Sequence, residues 1–255
     1  MPVELSKRND CALLRLNRPE ALNALSFEIL KEISSALDEV SSWKVRGLIV
    51  TGAGDKAFCA GADIKELGGR SLIETKRGAE LGQNAFAKLG RLPFPSIAAI
   101  NGFAFGGGLE LALACTFRLA TPNATLGLPE IKLGLVPGYG GTQRLPRLIG
   151  EARALELVLL GRTVNAEEAE RIGLVNRIIE GEAVEAAISF ASEFSSYSLL
   201  ALGFARDAVS RALDVPVHEG LKIEADLSTL AFSTSDAREG MAAFTEKRKA
   251  SFRDE

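Results

Sequence analysis

Residues 100–114 read INGFAFGGGLELALA, and the way this stretch divides decides the class of fold. It closes an apolar run from Ser96 to Ile100 (SIAAI) that suits a buried strand, and Gly106, Gly107 and Gly108 follow. From about Gly107 to Cys115 the alanine and leucine content is that of a buried helix. A strand that passes through glycines into a helix is a building unit of α/β proteins. Without side chains at these glycines a ligand can approach the backbone closely. The first N–H groups of a helix have no internal partner and lie at the positive end of its dipole, so such a turn can hold a phosphate or a developing oxyanion. The same glycines equally suit a helix entry that is tight only for packing. Neither nucleotide signature is present: glycines at 106 and 108 give G-x-G, but Leu111 holds the third glycine position, and no G-K-[ST] occurs.

Working outward, residues 11–16 (CALLRL) predict a strand, and Ser26 caps a helix running to about Val40 with Ile29, Leu30, Ile33, Leu37 and Val40 on one face. Residues 48–50 predict a short buried strand, and residues 117–120 and 125–128 predict two more. After Gly140 the pattern turns helical, with helices expected over 141–149, 152–160, 166–172, 182–194, 199–213, 219–230 and 236–248, and one strand at 174–178. This organisation predicts an α/β core over residues 1–195 and a helical region over 196–255.

The bulk numbers narrow the function. A chain of 255 residues, 47% apolar and 25% charged, has the balance of a protein with a sizeable core. A net charge of −3 gives no bulk reason to expect nucleic acid as a partner. Cys11, Cys59 and Cys115 are an odd, widely spaced set without C-x-x-C, which argues against disulfides or zinc and for a reducing compartment. No apolar run reaches the roughly 20 residues of a membrane span, and the N-terminus lacks the build of a signal peptide. The expectation is a cytoplasmic protein, or a processed mitochondrial one, with no membrane partner. His218 is the only histidine and sits at a helix start, so histidine-based triads and histidine-rich metal sites are not expected. No metal site is expected at all.

Two carboxylates stand out. Glu110 lies in LELALA, where almost every neighbour is apolar, and a carboxyl buried there would have its pKa pushed upward. Glu130 follows Pro129 in LGLPEIKLG, a rigid position just before the glycine-rich turn of residues 137–146 (PGYGGTQRLP). By itself Glu130 reads more readily as a salt-bridge partner. Two carboxylates in apolar settings beside glycine-rich backbone suit general acid–base work near neutral pH. Residues 58–64 (FCAGADI) again leave backbone N–H groups accessible, with Asp63 placed to cap a helix; Cys59 has no adjoining base to make it a nucleophile.

Together the stretches FCAGADI, NGFAFGGGLE and PEIKLGLVPGYGGTQRLP, with NRPEALNAL (17–25) and FTEKRKA (244–250), resemble the enoyl-CoA hydratase (crotonase) family over nearly the full chain. The first two are shared across the superfamily, whereas two glutamates at this separation are more specific to hydratases. The resemblance implies a crotonase-like spiral of ββα units with a helical C-terminal trimerisation region, in homotrimers or dimers of trimers. It implies an acyl-CoA thioester as substrate, no separate cofactor, and an oxyanion hole formed by the N–H groups of Ala60 and Gly107. Contacts to substrate and coenzyme A would come from Ala21, Leu22, Ala60, Gly61, Ala62, Asp63, Ile64 and Gly138, with Phe244 and Lys247 reaching across from a neighbouring subunit. Glu110 would activate water for the β-carbon and Glu130 would protonate the α-carbon. Related enzymes that isomerise, dehalogenate or decarboxylate use other catalytic residues, so both glutamates favour hydration. A branched methylglutaconyl-type substrate and an RNA-binding role remain the alternatives the resemblance carries. A paired-carboxylate glycosidase would leave the glycine-rich turns unexplained.

Overall fold

The computed structural model describes residues 1–255 as a mixed α/β fold with two sheets. Strands β1 (Val3–Arg8) and β2 (Cys11–Leu16) form an antiparallel hairpin, and Asn9 takes the left-handed φ of 51° at its turn. Helix α1 (Phe27–Val40) begins where the Ser26 hydroxyl accepts the Ile29 N–H at 3.1 Å, and it buries the apolar face expected from its spacing. Then come β3 (Gly47–Gly52), β4 (Ala57–Cys59), the short α2 (Ile64–Leu67) and α3 (Leu72–Ala87). They are followed by β5 (Ser96–Ile100), β6 (Phe103–Phe105), α4 (Gly107–Ala114), β7 (Phe117–Ala120) and β8 (Thr125–Gly127). A 3-10 turn (Pro129–Leu133) leads towards α5 (Gly141–Ile149), α6 (Glu151–Leu160), β9 (Thr163–Asn165), α7 (Ala166–Arg171), β10 (Arg177–Ile178) and α8 (Ala183–Ser192). Helices α9 (Leu199–Arg211), α10 (Val217–Ser233) and α11 (Ser235–Glu246) complete the chain.

The larger sheet has the order β1-β2-β3-β5-β7-β10 and the smaller β4-β6-β8-β9. Consecutive strands therefore alternate between sheets: β3 to β4, β5 to β6, β7 to β8. Each pair places one strand in each sheet before the chain turns into helix, which is the repeated ββα spiral. From β2 to β10 the larger sheet is parallel. Its central strands β3 and β5 are buried along their full length, as sheets covered on both faces require.

Five elements escaped the sequence reading. Three of them, β4, β6 and β9, are three residues long, too short for a period to register. An edge position leaves β1 mostly polar, and α3 carries glycines at 78 and 82 that weaken its helical pattern. Conversely, the strand expected at 174–178 shrinks to Arg177–Ile178, because Leu174 and Val175 are buried before the chain joins β7.

The C-terminal helices are attached by specific polar contacts. Arg206 donates to the carbonyls of Leu92 and Phe94, and Arg46 to that of Ser195 and to the Asp254 carboxylate. Helices α9 and α10 bury no residue fully within the chain, and Val209, Leu213, Val217, Leu221, Phe232 and Phe244 are exposed. His218 is the second residue of α10, exposed beside Glu219.

Candidate active site

The site forms where α4 meets β4 and the loop after it. A Cβ on Gly108 would lie 2.0 Å from the Cys59 carbonyl oxygen, so only glycine lets α4 approach this close. Gly61, at φ +109°, brings the next loop alongside: a Cβ there would stand 3.0 Å from the Phe105 oxygen and 3.7 Å from the Gly107 nitrogen. As the first residue of α4, Gly107 has no acceptor for its N–H within the helix.

Ala60 does not fit the donor role that the resemblance implied. Its N–H already donates to the Leu22 carbonyl at 3.0 Å. Ala62, by contrast, has a free N–H. Ala62 forms a parallel bridge with Leu25 in which the Gly61 oxygen accepts from Leu25 and the Asp63 N–H donates back to it. In that pattern the N–H of the bridging residue points away from Leu25, and it meets no protein acceptor. An unpartnered N–H beside Gly107 is thus offered by Ala62, two residues along from the expected position.

Glu110 stands in the first turn of α4 and is 1% exposed. Its Oε1 accepts the N–H of Tyr139 at 2.7 Å and of Gly141 at 2.8 Å. A Cβ on Gly141 would come within 3.1 Å of the same oxygen, so this close approach is also built on glycine. Burial pushes the Glu110 carboxyl up to about 7; the Glu130 charge adds to the rise, while the two N–H bonds and the Arg144 charge oppose it. The Tyr139 segment is held from three sides. Gln83 of α3 donates to the Gly138 carbonyl at 2.9 Å, Arg144 donates to the Tyr139 carbonyl at 3.0 Å, and Phe86 packs edge-on against the Tyr139 ring.

Glu130 comes from the Pro129–Leu133 turn, reaching the site from the other side of α4's entry. Its Oε1 lies 2.9 Å from where a Cβ of Gly106 would be. A side chain at Gly106 would push this oxygen aside, and the φ of +49° there favours glycine. The second oxygen, Oε2, is buried without a hydrogen-bond partner, and burial raises the pKa of this carboxyl too. Glu110 and Glu130 thus flank Gly107, one over Gly141 and the other over Gly106.

Along the entrance, Leu22 and Asn23 both take left-handed φ. The buried Asn23 side chain fixes them, donating to the carbonyls of Ala53 and Ala57 at 3.0 and 2.8 Å and accepting the Arg18 N–H at 3.0 Å. This places Ala21 and Leu22 beside residues 60–64. Asp63 caps α2 and pairs with Arg18 at 2.9 Å, a bond that holds its carboxyl below the ordinary carboxylate range. Ile64 is exposed at the rim, and Gly138 sits in the Tyr139 segment. Phe244 and Lys247 end α11, exposed, with the helix packed against α10 rather than joined to these residues within the chain. Cys59 is fully buried and its thiol is pushed up to about 12, which removes it as a nucleophile. Tyr139, Arg144 and Gln83 escaped the sequence reading: their contributions are a backbone N–H and two bonds to carbonyls, which no residue type announces.

The chain matches the sequence pattern of the family described as enoyl-CoA hydratase/isomerase over residues 6–255. It is 44% identical over 252 residues to a crotonyl-CoA hydratase of Syntrophomonas wolfei, covering 98% of this chain and 97% of that protein. It is 41% identical over 249 residues to a short-chain-enoyl-CoA hydratase of Clostridium acetobutylicum, covering 97% of this chain and 95% of that one. The crystal structure of an enoyl-CoA hydratase from Bacillus anthracis superposes on it with a TM-score of 0.95 at 40% identity, each chain covered in full.

Proposed function

The chain belongs to the enoyl-CoA hydratase/isomerase family, and from that premise we propose that it is a hydro-lyase adding water across the 2,3 double bond of a 2-enoyl-CoA. The observation that carries this reading is the placement of one buried and one half-buried carboxyl on either side of one helix entry with free backbone N–H groups between them.

The thioester oxygen gains negative charge as a nucleophile adds at the β-carbon. The N–H groups of Gly107 and Ala62 receive that charge, and removing one such donor typically costs roughly 2.7–4 kcal/mol of barrier. A difference between the two glutamates supports a division of work between them. Glu110 accepts two N–H bonds, which favour its ionised form, so it takes a proton from water while the water oxygen bonds to the β-carbon. Glu130 keeps a buried oxygen with no donor, which favours its neutral form, so it delivers a proton to the α-carbon as the double-bond electrons move there. One water is consumed and one proton passes through the pair. Dehydration reverses both transfers.

Coenzyme A enters as part of the substrate, over Ala21, Leu22 and residues 61–64, with no separate cofactor in the scheme. The exposed apolar surface of α9–α11 supports a homotrimer, alone or paired, in which Phe244 and Lys247 meet a neighbour's coenzyme A. No helix is long and apolar enough to cross a membrane, and a cytoplasmic location is the reading proposed here. The test is turnover of crotonyl-CoA, followed by loss of the conjugated thioester absorbance. Wild type is expected to hydrate it and Glu110→Gln and Glu130→Gln to lose most of that activity; full activity in either variant would refute the assignment.

A further inference from the structure

Tyr139 does two things, and only its backbone takes part in the scheme above. Its N–H holds Glu110, so its side chain starts on the very residue bonded to the carboxylate that serves the β-carbon. The ring then fills the gap between α4 and α3. A methyl group built on Gly107 would lie 3.0 Å from the ring atom Cδ2, and one built on Gly82 would lie 2.3 Å from Cδ1 on the opposite edge. Leu25 approaches Gly107 beside it, at 3.2 Å from the same built methyl, and Phe86 closes the far side at a ring separation of 5.8 Å. The glycine at 82 in mid-helix weakens α3 relative to alanine, and here it gives room to an aromatic ring, since any larger residue would displace Tyr139.

We propose that the Tyr139 ring is the end wall of the acyl pocket and restricts the substrate to short enoyl groups of the crotonyl class. The inference rests on the hydratase reading. Entering substrate has coenzyme A at the Ala21–Leu22 rim, its thioester oxygen at Gly107 and Ala62, and its β-carbon at Glu110. Tyr139 borders both of those groups, its N–H on Glu110 and its ring against Gly107, so in this pose a chain continuing beyond the β-carbon runs towards the ring. A terminal methyl group fits against such a ring. A longer alkyl tail meets packed side chains on both helices and has no space unless the ring leaves. Tyr139 is 7% exposed and wedged between two glycines, so its alternative positions are few.

The test compares kcat/KM for crotonyl-CoA, hexenoyl-CoA and decenoyl-CoA in wild type, Tyr139→Phe, Tyr139→Leu and Tyr139→Ala. Each variant keeps the backbone N–H on which Glu110 depends. Wild type is expected to fall at least about a hundredfold from the shortest to the longest substrate, and Tyr139→Phe, which keeps the ring, to show the same ratio. Tyr139→Ala is expected to raise the long-to-short ratio at least tenfold, with Tyr139→Leu in between; should the alanine variant fail to fold, the leucine variant and the wild-type profile decide. A flat wild-type profile, or a ratio unchanged on removing the ring, would overturn the end wall while leaving hydration intact. Absence of turnover at every chain length would instead refute the hydratase reading.

Discussion

At the entry of α4, Glu110 is 1% exposed and one of its oxygens accepts two backbone N–H groups. On the Pro129–Leu133 turn, Glu130 is only half-buried, yet it keeps one oxygen inside the protein with no partner. The same carboxyl group is thus supported in one place and left unsupported in the other. Both have raised pKa values, for the same first cause of burial; the two N–H bonds draw the Glu110 value part of the way back down, while Oε2 of Glu130 has no such donor. The proposed division of labour draws on that difference in hydrogen bonding, which the fold makes with ordinary peptide groups.

The largest expected effect breaks the comparison outright. Glu110→Gln should lower kcat for crotonyl-CoA by roughly 10³–10⁴-fold and Glu130→Gln by roughly 10²–10³-fold, within the range of general acid–base contributions. Steady-state rates on folded protein check both. A smaller effect concerns stability. The folded-state value of about 7 for Glu110 lies above the ordinary glutamate value near 4.3, so its contribution favours folding below about pH 4 and is lost as pH rises through about 7. Above pH 7 the buried charge costs about 4 kcal/mol, and Glu110→Gln should be more stable than wild type there, with the gap closing towards pH 4. Denaturant titrations at several pH values would read this directly, and a gap that widened on acidification would contradict it.

Next come the neighbours that tune the pair. An ionised Glu130 raises the Glu110 pKa, so Glu130→Gln should lower it over the pH range where Glu130 is charged, seen in an NMR titration of labelled glutamate. Removing the Arg144 charge should raise it, moving the acidic limb of the kcat profile to higher pH in Arg144→Met and less in Arg144→Lys. The smallest effect expected is that of Gln83→Ala. This residue is exposed, and its bond to the Gly138 carbonyl competes with water, so kcat should fall only a few fold, in line with about 0.5–1.5 kcal/mol for a single hydrogen bond.

Much of this site is legible before any coordinates. Glu110 announces itself as a carboxylate among leucines and alanines, and the glycines at 106–108 mark a close backbone approach. The α/β core and the helical C-terminal run also follow from pattern alone. What the pattern hides is equally specific. Ala60 and Ala62 are the same residue type, two apart, and only the bond from Ala60 to Leu22 decides which N–H is free. The second sheet is built from three-residue strands that carry no period of their own. Tyr139 sits in a glycine-rich turn like any other residue until the ring is placed against Gly82 and Gly107, positions far away in sequence. Tertiary contact, not local propensity, makes each of these assignments.

The division of labour can be tested on a substrate that cannot be dehydrated. Butyryl-CoA bound in this site exposes α-protons to Glu130 and offers Glu110 no water to add, so NMR in D2O can follow α-proton exchange alone. Wild type and Glu110→Gln are expected to exchange the α-proton, and Glu130→Gln to lose the exchange. Exchange that survives in Glu130→Gln and disappears in Glu110→Gln would contradict the assignment of the two glutamates.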